Sequence, residues 1–172
     1  MKKFIIVLAI ITTILVINKE EKVVIPKEAI RFRVIANSNK EEDQTLKKKV
    51  VNNLNSEIRK LTFLDTSLEK SRTNIKNTIP EFSEIVKETL EKNQSKETFT
   101  IDYGMNYFPE KEYKGIVYEE GEYESLVITL GNGLGENFWC VLFPPLCLLD
   151  SEEEVEDVEY TSFVKELVEK YF

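Results

Sequence analysis

The sequence predicts an α/β fold of the α+β kind, with helices packed on a mixed, mostly antiparallel sheet, in the order βααβββ(β)α. Three observations predict it: an alternating segment at Ile30 that leads into an apolar stripe of helical spacing, a change to period two at Phe99, and a return to helical spacing before the C-terminus. An order of this kind places helices over a sheet without specifying the strand sequence.

Ile30-Arg31-Phe32-Arg33-Val34 alternates apolar and basic residues, the pattern of a half-buried strand. It ends in the polar turn Asn37-Ser38-Asn39, where Ser38 or Asn39 is placed to cap a helix, with Glu41, Glu42 and Asp43 favourable in its first turn against the dipole. Leu46, Val50, Leu54, Ile58 and Leu61 then form one apolar stripe, with lysines opposite. After a break at Asp65-Thr66-Ser67, a weaker pattern through Leu68, Ile75 and Ile79 reaches Pro80, which is expected to kink or divide the segment. Phe82, Ile85, Val86, Thr89 and Leu90 continue as a second helix or a bent extension.

Phe99, Ile101, Tyr103, Met105 and Tyr107 define a strand with one aromatic face, ended by Pro109. Tyr113–Tyr118 and Ser125–Leu130 are the next strands, expected to pair antiparallel across the turn Glu119-Glu120-Gly121-Glu122. Phe138–Phe143 is almost wholly apolar, as a buried strand is, and Phe163, Val164, Leu167, Val168 and Tyr171 space a terminal amphipathic helix.

With 31 acidic and 23 basic side chains, the chain carries a formal charge of -8, which opposes contact with a phosphate backbone, so no nucleic-acid partner is expected. Histidine is absent, which removes the usual general base and the commonest metal ligand. No cofactor and no metal site are expected.

Met1-Lys2-Lys3 followed by the apolar run Phe4–Ile17 has the layout of a secretory signal. As a helix the run spans roughly 21 Å at about 1.5 Å per residue, short of the ~30 Å hydrocarbon core of a bilayer. Residues 1–18 are therefore read as a signal peptide or short membrane anchor, residues 19–29 as a linker, and residues 30–172 as one globular domain. The leading lysines put that domain on the outer face, with membrane contact through the N-terminal segment only.

The densest constellation runs from Gly131-Asn132-Gly133-Leu134-Gly135 to Cys147. It lacks the Lys-Ser/Thr of a phosphate loop, and a glycine turn feeding a strand describes it better. Trp139, Val141, Phe143, Pro144 and Pro145 form a stiff apolar block with two readings, plain core or a rigid surface that docks a partner at little entropic cost. Cys140 and Cys147 sit where Pro144-Pro145 can bend the chain between them; a disulfide, free buried thiols and a reactive thiol all remain open. The acidic run Ser151–Glu159 reads as a solvated linker starting a helix, ahead of a calcium or basic-partner site. Asp102, Glu124 and Asp150 are the carboxylates available for acid-base work, but no spacing singles out a pair, so no catalytic residue is assigned.

Two blocks carry a resemblance. Ile30-Arg31-Phe32-Arg33-Val34-Ile35-Ala36-Asn37-Ser38 with Glu42-Asp43-Gln44 and Lys47, and Gly121-Glu122-Tyr123-Glu124-Ser125-Leu126 running on to Trp139–Cys147, resemble the stage II sporulation protein R family of endospore-forming bacteria. Asn39 stands where that family usually has Asp, and Phe138 where a second Trp is common. The resemblance implies a non-enzymatic protein exported from the forespore into the space between two membranes. There it would trigger a membrane-embedded aspartic protease that removes the pro-sequence of an early mother-cell sigma factor. The alternative expectations are an exported hydrolase or thiol enzyme using Cys140 or an unpaired carboxylate, and a purely structural envelope protein.

Overall fold

Alternation along β2 (Ile30–Ile35) sends Ile30, Phe32 and Val34 to one side of a sheet and Arg31 and Arg33 to the other, and the rest of the molecule is built on those two faces. The computed structural model describes residues 22–64, 67–147 and 157–172. The predicted signal or anchor, residues 1–18, and the start of the predicted linker lie outside the described residues, as do Asp150 and the acidic run as far as residue 156. Among the described residues no helix is long and apolar enough to cross a membrane.

The larger sheet has the order β3-β6-β2-β7, made by β3 (Phe99–Phe108), β6 (Gly121–Leu130), β2 and β7 (Asn137–Phe143). β2 runs parallel to β6 and antiparallel to β7, while β3 runs antiparallel to β6, so the sheet is mixed as predicted. α1 (Glu41–Leu64) and α2 (Leu68–Lys92) cover its first face. Leu46, Val50, Leu54, Ile58 and Leu61, the stripe read from the sequence, join Ile75, Phe82, Val86 and Leu90 of α2 over Phe32, Val34, Leu126 and Ile128. Fully burying side chains of this size contributes about 1.5–3 kcal/mol each. Ser67 caps α2 by accepting from the Lys70 amide.

Pro80 neither divides nor ends α2, which runs on from Leu68 to Lys92. It sits on the exposed side of the helix. The carbonyl four residues back, which proline leaves without a donor, belongs to the equally exposed Lys76 and has access to water. Ile75 and Phe82 bury the opposite side on both flanks of the proline.

The second face is covered by elements the sequence reading did not separate. β1 (Val23–Val24), β5 (Ile116–Tyr118) and β4 (Lys111–Tyr113) form a small sheet of order β1-β5-β4. The predicted single strand Tyr113–Tyr118 is thus a hairpin, because Lys114 (φ 49°) and Gly115 (φ 74°) both take left-handed backbone, as a tight two-residue turn between strands requires. Ser125–Leu130 does not pair with it: β5 lies between β1 and β4, and β6 between β3 and β2 in the larger sheet. The predicted linker is also corrected: Val23, Ile25 and Ala29 are buried, and β1 pairs parallel with β5. α3 (Asp157–Tyr171) packs Val164, Leu167 and Val168 into this second core, whereas Phe163, expected on the apolar face, is exposed.

Candidate functional site

Because both faces of the large sheet are covered, Arg31 is 1% exposed, where the sequence pattern had it facing solvent. Its guanidinium lies 3.4 Å from the Tyr123 ring centroid, 5.2 Å from that of Phe108 and 5.8 Å from that of Tyr118. Cation–π attraction of this kind offsets part of the cost of burying a charge. Nη2 donates to the Glu119 carbonyl at 3.3 Å, but Nε and Nη1 are buried without a hydrogen-bond partner. Burial pushes the group below the ordinary arginine pKa, the direction expected of a cation short of water and of counter-charge. Arg33, shifted the same way by burial, stacks on the other approach to Phe108 with 4.5 Å to the centroid.

These groups border a cavity of about 260 Å³ lined by Arg31, Phe108, Lys111, Tyr118, Trp139 and Cys140, together with Tyr113, Asn137 and Phe138. Trp139 meets Phe108 edge-on with ring centroids 5.2 Å apart, and the Lys111 ammonium lies 5.2 Å from the Trp139 ring. The lining thus contains two cations and no carboxylate, in a chain whose formal charge is -8. β2 supplies Arg31, β7 supplies Trp139, and the β4–β5 hairpin closes the far wall.

The expected docking block is mostly core. Val141 and Phe143 are each 1% exposed and Pro144 is buried, so none of the three is presented to a partner. Phe143 instead packs its ring against Tyr171, centroids 5.0 Å apart. The reason is that β7 is covered on both faces, by α1 and α2 on one side and α3 on the other. Trp139, lining the cavity, and Pro145 remain partly accessible. Cys140 and Cys147 are joined by a disulfide with Cα atoms 5.1 Å apart, which closes the Pro144-Pro145 bend; the Phe143–Pro144 peptide is cis.

The glycine turn is an interlock between two loops. The Asn132 amide donates to Asn37 Oδ1 at 2.9 Å and the Glu136 amide to Asn39 Oδ1 at 2.7 Å, while the Leu134 and Gly135 amides reach the Asn37 and Ala36 carbonyls. A Cβ on Gly135 would collide with the Ser38 carbonyl. Lys47, 6% exposed, donates to the Glu136 carbonyl at 2.9 Å and to Gln44 at 2.7 Å, and Gln44 donates to the Ser38 carbonyl. Ser38 and Asn37 donate to Asp43, and the Ser38 bond chiefly holds that carboxyl below its usual pKa. The motif Asn37-Ser38…Asp43-Gln44…Lys47 is therefore a fastening for the Gly131–Glu136 loop.

Of the carboxylates considered for acid-base work, Asp102 is exposed and accepts from Asn106. Burial works to raise Glu124, but hydrogen bonds from Arg72 and Tyr103 outweigh it, and its pKa is lowered overall. Glu124 and Asp102 lie on opposite faces of the large sheet, so they do not form a pair. Among the described residues no His, Cys, Asp or Glu side chains group as metal ligands. Arg31, Phe108, Lys111 and Tyr118 escaped sequence reasoning because β2 alone does not say what covers its second face. The available signal was that Phe108 falls out of phase with the Phe99–Tyr107 alternation, which sends it to the opposite face, where it meets Tyr123.

Residues 26–153 match the family model of Stage II sporulation protein R. The chain is 43% identical over 155 residues to the Stage II sporulation protein R of Bacillus subtilis (strain 168), covering 89% of this chain and 69% of that protein. No solved structure matches the chain.

Proposed function

The chain belongs to the stage II sporulation protein R family, and from that premise we propose that it is an exported sporulation signal that activates a membrane-embedded aspartic protease. Activation leads to removal of the pro-sequence of the early mother-cell sigma factor. The observation that carries the reading is the match across residues 26–153, which spans the interlocked loops and the walls of the cavity. The signal-like Met1–Ile17 segment supports export from the forespore into the intermembrane space, and it leaves open a membrane-anchored form if the segment is uncleaved.

The chemistry supports a ligand better than a catalyst. Both cysteines of the chain are consumed by the disulfide, so the thiol-enzyme alternative has no free thiolate. A ligand acts by binding one state of its target better than another, and a tenfold bias needs only about 1.4 kcal/mol. One well-made pocket contact suffices for that.

Co-expression in a non-sporulating host tests the reading: the exported chain, or a form lacking residues 1–18, is produced with the protease and its pro-sigma substrate. Processing that appears only with the exported form is expected. No processing with either form, given folded protein and an active protease, would end the signalling reading.

A further inference from the structure

We propose that the cavity between the two sheets receives a carboxylate from an acidic side chain of a partner peptide, and that Arg31 is its ion-pair partner. The inference deepens the signalling reading and rests on it for the choice of a peptide as the source.

The argument begins with Arg31. A fully buried guanidinium ordinarily has an acid or several carbonyls around it, because an unpaired buried charge is strongly destabilising. Here three aromatic rings and one carbonyl at 3.3 Å surround it, and Nε and Nη1 have no acceptor. Among the described residues no carboxylate makes an ion pair with it. Arg31 is one of the residues that line the cavity, so an acceptor entering there approaches the guanidinium from outside.

The cavity's composition selects the sign and class of that acceptor. Arg31 and Lys111 are its charged lining residues, both cationic, and the remaining walls are chiefly aromatic. A carboxylate there gains charge-assisted hydrogen bonds in a water-poor setting, while the side-chain methylenes behind it meet Phe108 and Trp139. Size selects the source. At about 260 Å³ the space is below the roughly 300–1,000 Å³ typical of small-molecule sites and suits one side chain reaching in from a docked chain. The surface charge of the rest of the protein disfavours broad acidic surfaces, so the contact is local.

Trp139 is the single tryptophan and lines the cavity, so its fluorescence reports occupancy directly. The full chain is titrated with N-acetyl-glutamate α-amide, with N-acetyl-glutamine α-amide, and with inorganic phosphate. The expected result is a saturable change with the glutamate probe, at least about tenfold weaker with the glutamine probe and with phosphate, the difference that about 1.4 kcal/mol supplies. Arg31→Met should abolish the response. Should that variant misfold, Lys111→Gln at an exposed position should weaken the response severalfold. No response, equal responses to glutamate and glutamine, or a response to phosphate as strong as to glutamate overturns the proposal.

The co-expression assay separates the two readings. A folded variant that no longer binds the glutamate probe but still triggers full processing removes the peptide source and leaves the signalling role standing. A parent protein that binds the probe yet never triggers processing ends the signalling reading, and with it the peptide as source, and leaves carboxylate binding at the cavity standing.

Discussion

The guanidinium of Arg31 lies over the ring of Tyr123, 3.4 Å from its centroid, and 5.8 Å from that of Tyr118 in the smaller sheet, with no carboxylate ion-paired to it among the described residues. The stack joins β2 to its neighbour β6, and the hydrogen bond from Nη2 to the Glu119 carbonyl anchors the turn between β5 and β6. A planar cation suits this position because it stacks and donates in its own plane at once.

Arg31→Lys is expected to lower stability by about 1–2 kcal/mol, since an ammonium keeps the burial cost but loses the planar stack. Arg31→Met is expected to cost less, because it fills similar space and leaves no unpartnered donor. Urea unfolding of the two variants checks the order; a lysine variant as stable as the methionine one would contradict this account of the stack.

Gly135→Ala is expected to cost about 1–3 kcal/mol, the usual range for forcing a methyl group into filled space. The obstacle is the Ser38 backbone carbonyl, which cannot swing aside as a side-chain tip does. Asn132→Ala, three residues earlier, should stay within about 0.5 kcal/mol because its interlock contact is made by the backbone amide. Comparable losses in both variants would mean that the loop is merely sensitive, not fastened where described.

Glu97 provides a pH test. Burial, then repulsion from Asp43, raises its carboxyl above the model-compound 4.5. A folded-state pKa above the unfolded one gives stability that is full below about pH 4.5 and is lost as pH rises through the folded value. Asp43, with its pKa lowered chiefly by Ser38, has the opposite sign: its contribution is present above about pH 3.8 and is lost as pH falls. Glu97→Gln is therefore expected to stabilise the protein increasingly as pH rises from 4.5, with no gain below it. Thermal unfolding between pH 3.5 and pH 7 reads the difference, and a gain that is flat across that range would contradict the burial and repulsion described.

Cys140→Ser with Cys147→Ser removes a bridge of sequence separation 7. Loop-closure entropy for so short a ring predicts a loss of about 2–3 kcal/mol. The double variant and the reduced parent should unfold at the same denaturant midpoint, and a double variant as stable as the oxidised parent would show the bridge to be energetically idle.

Much of the helix-covered half was legible from sequence. Leu46 to Leu61 repeats at steps of three and four, and Phe99 to Tyr103 at steps of two, because each stretch faces one apolar core and its period reports that face; the same alternation runs on to Met105 and Tyr107, which are exposed. Pro80 misled because its effect depends on whether the orphaned carbonyl reaches water, which a one-dimensional pattern does not contain. The docking block misled differently: Val141, Phe143 and Pro144 are as apolar as an interface, and only the position of α3 and Tyr171 shows that this chain itself covers them.

The sequence by itself determined the α+β class, the β2–turn–α1 unit, the glycine loop and the family resemblance, since these rest on local periodicity and on residue types at fixed spacing. Tertiary structure decided the second sheet, the inclusion of Val23–Ala29 in the fold, the burial of Arg31 and the cavity beside Trp139. Each of those depends on which distant segment covers the far face of a strand, and alternation along that strand is the same whether water or another sheet lies there.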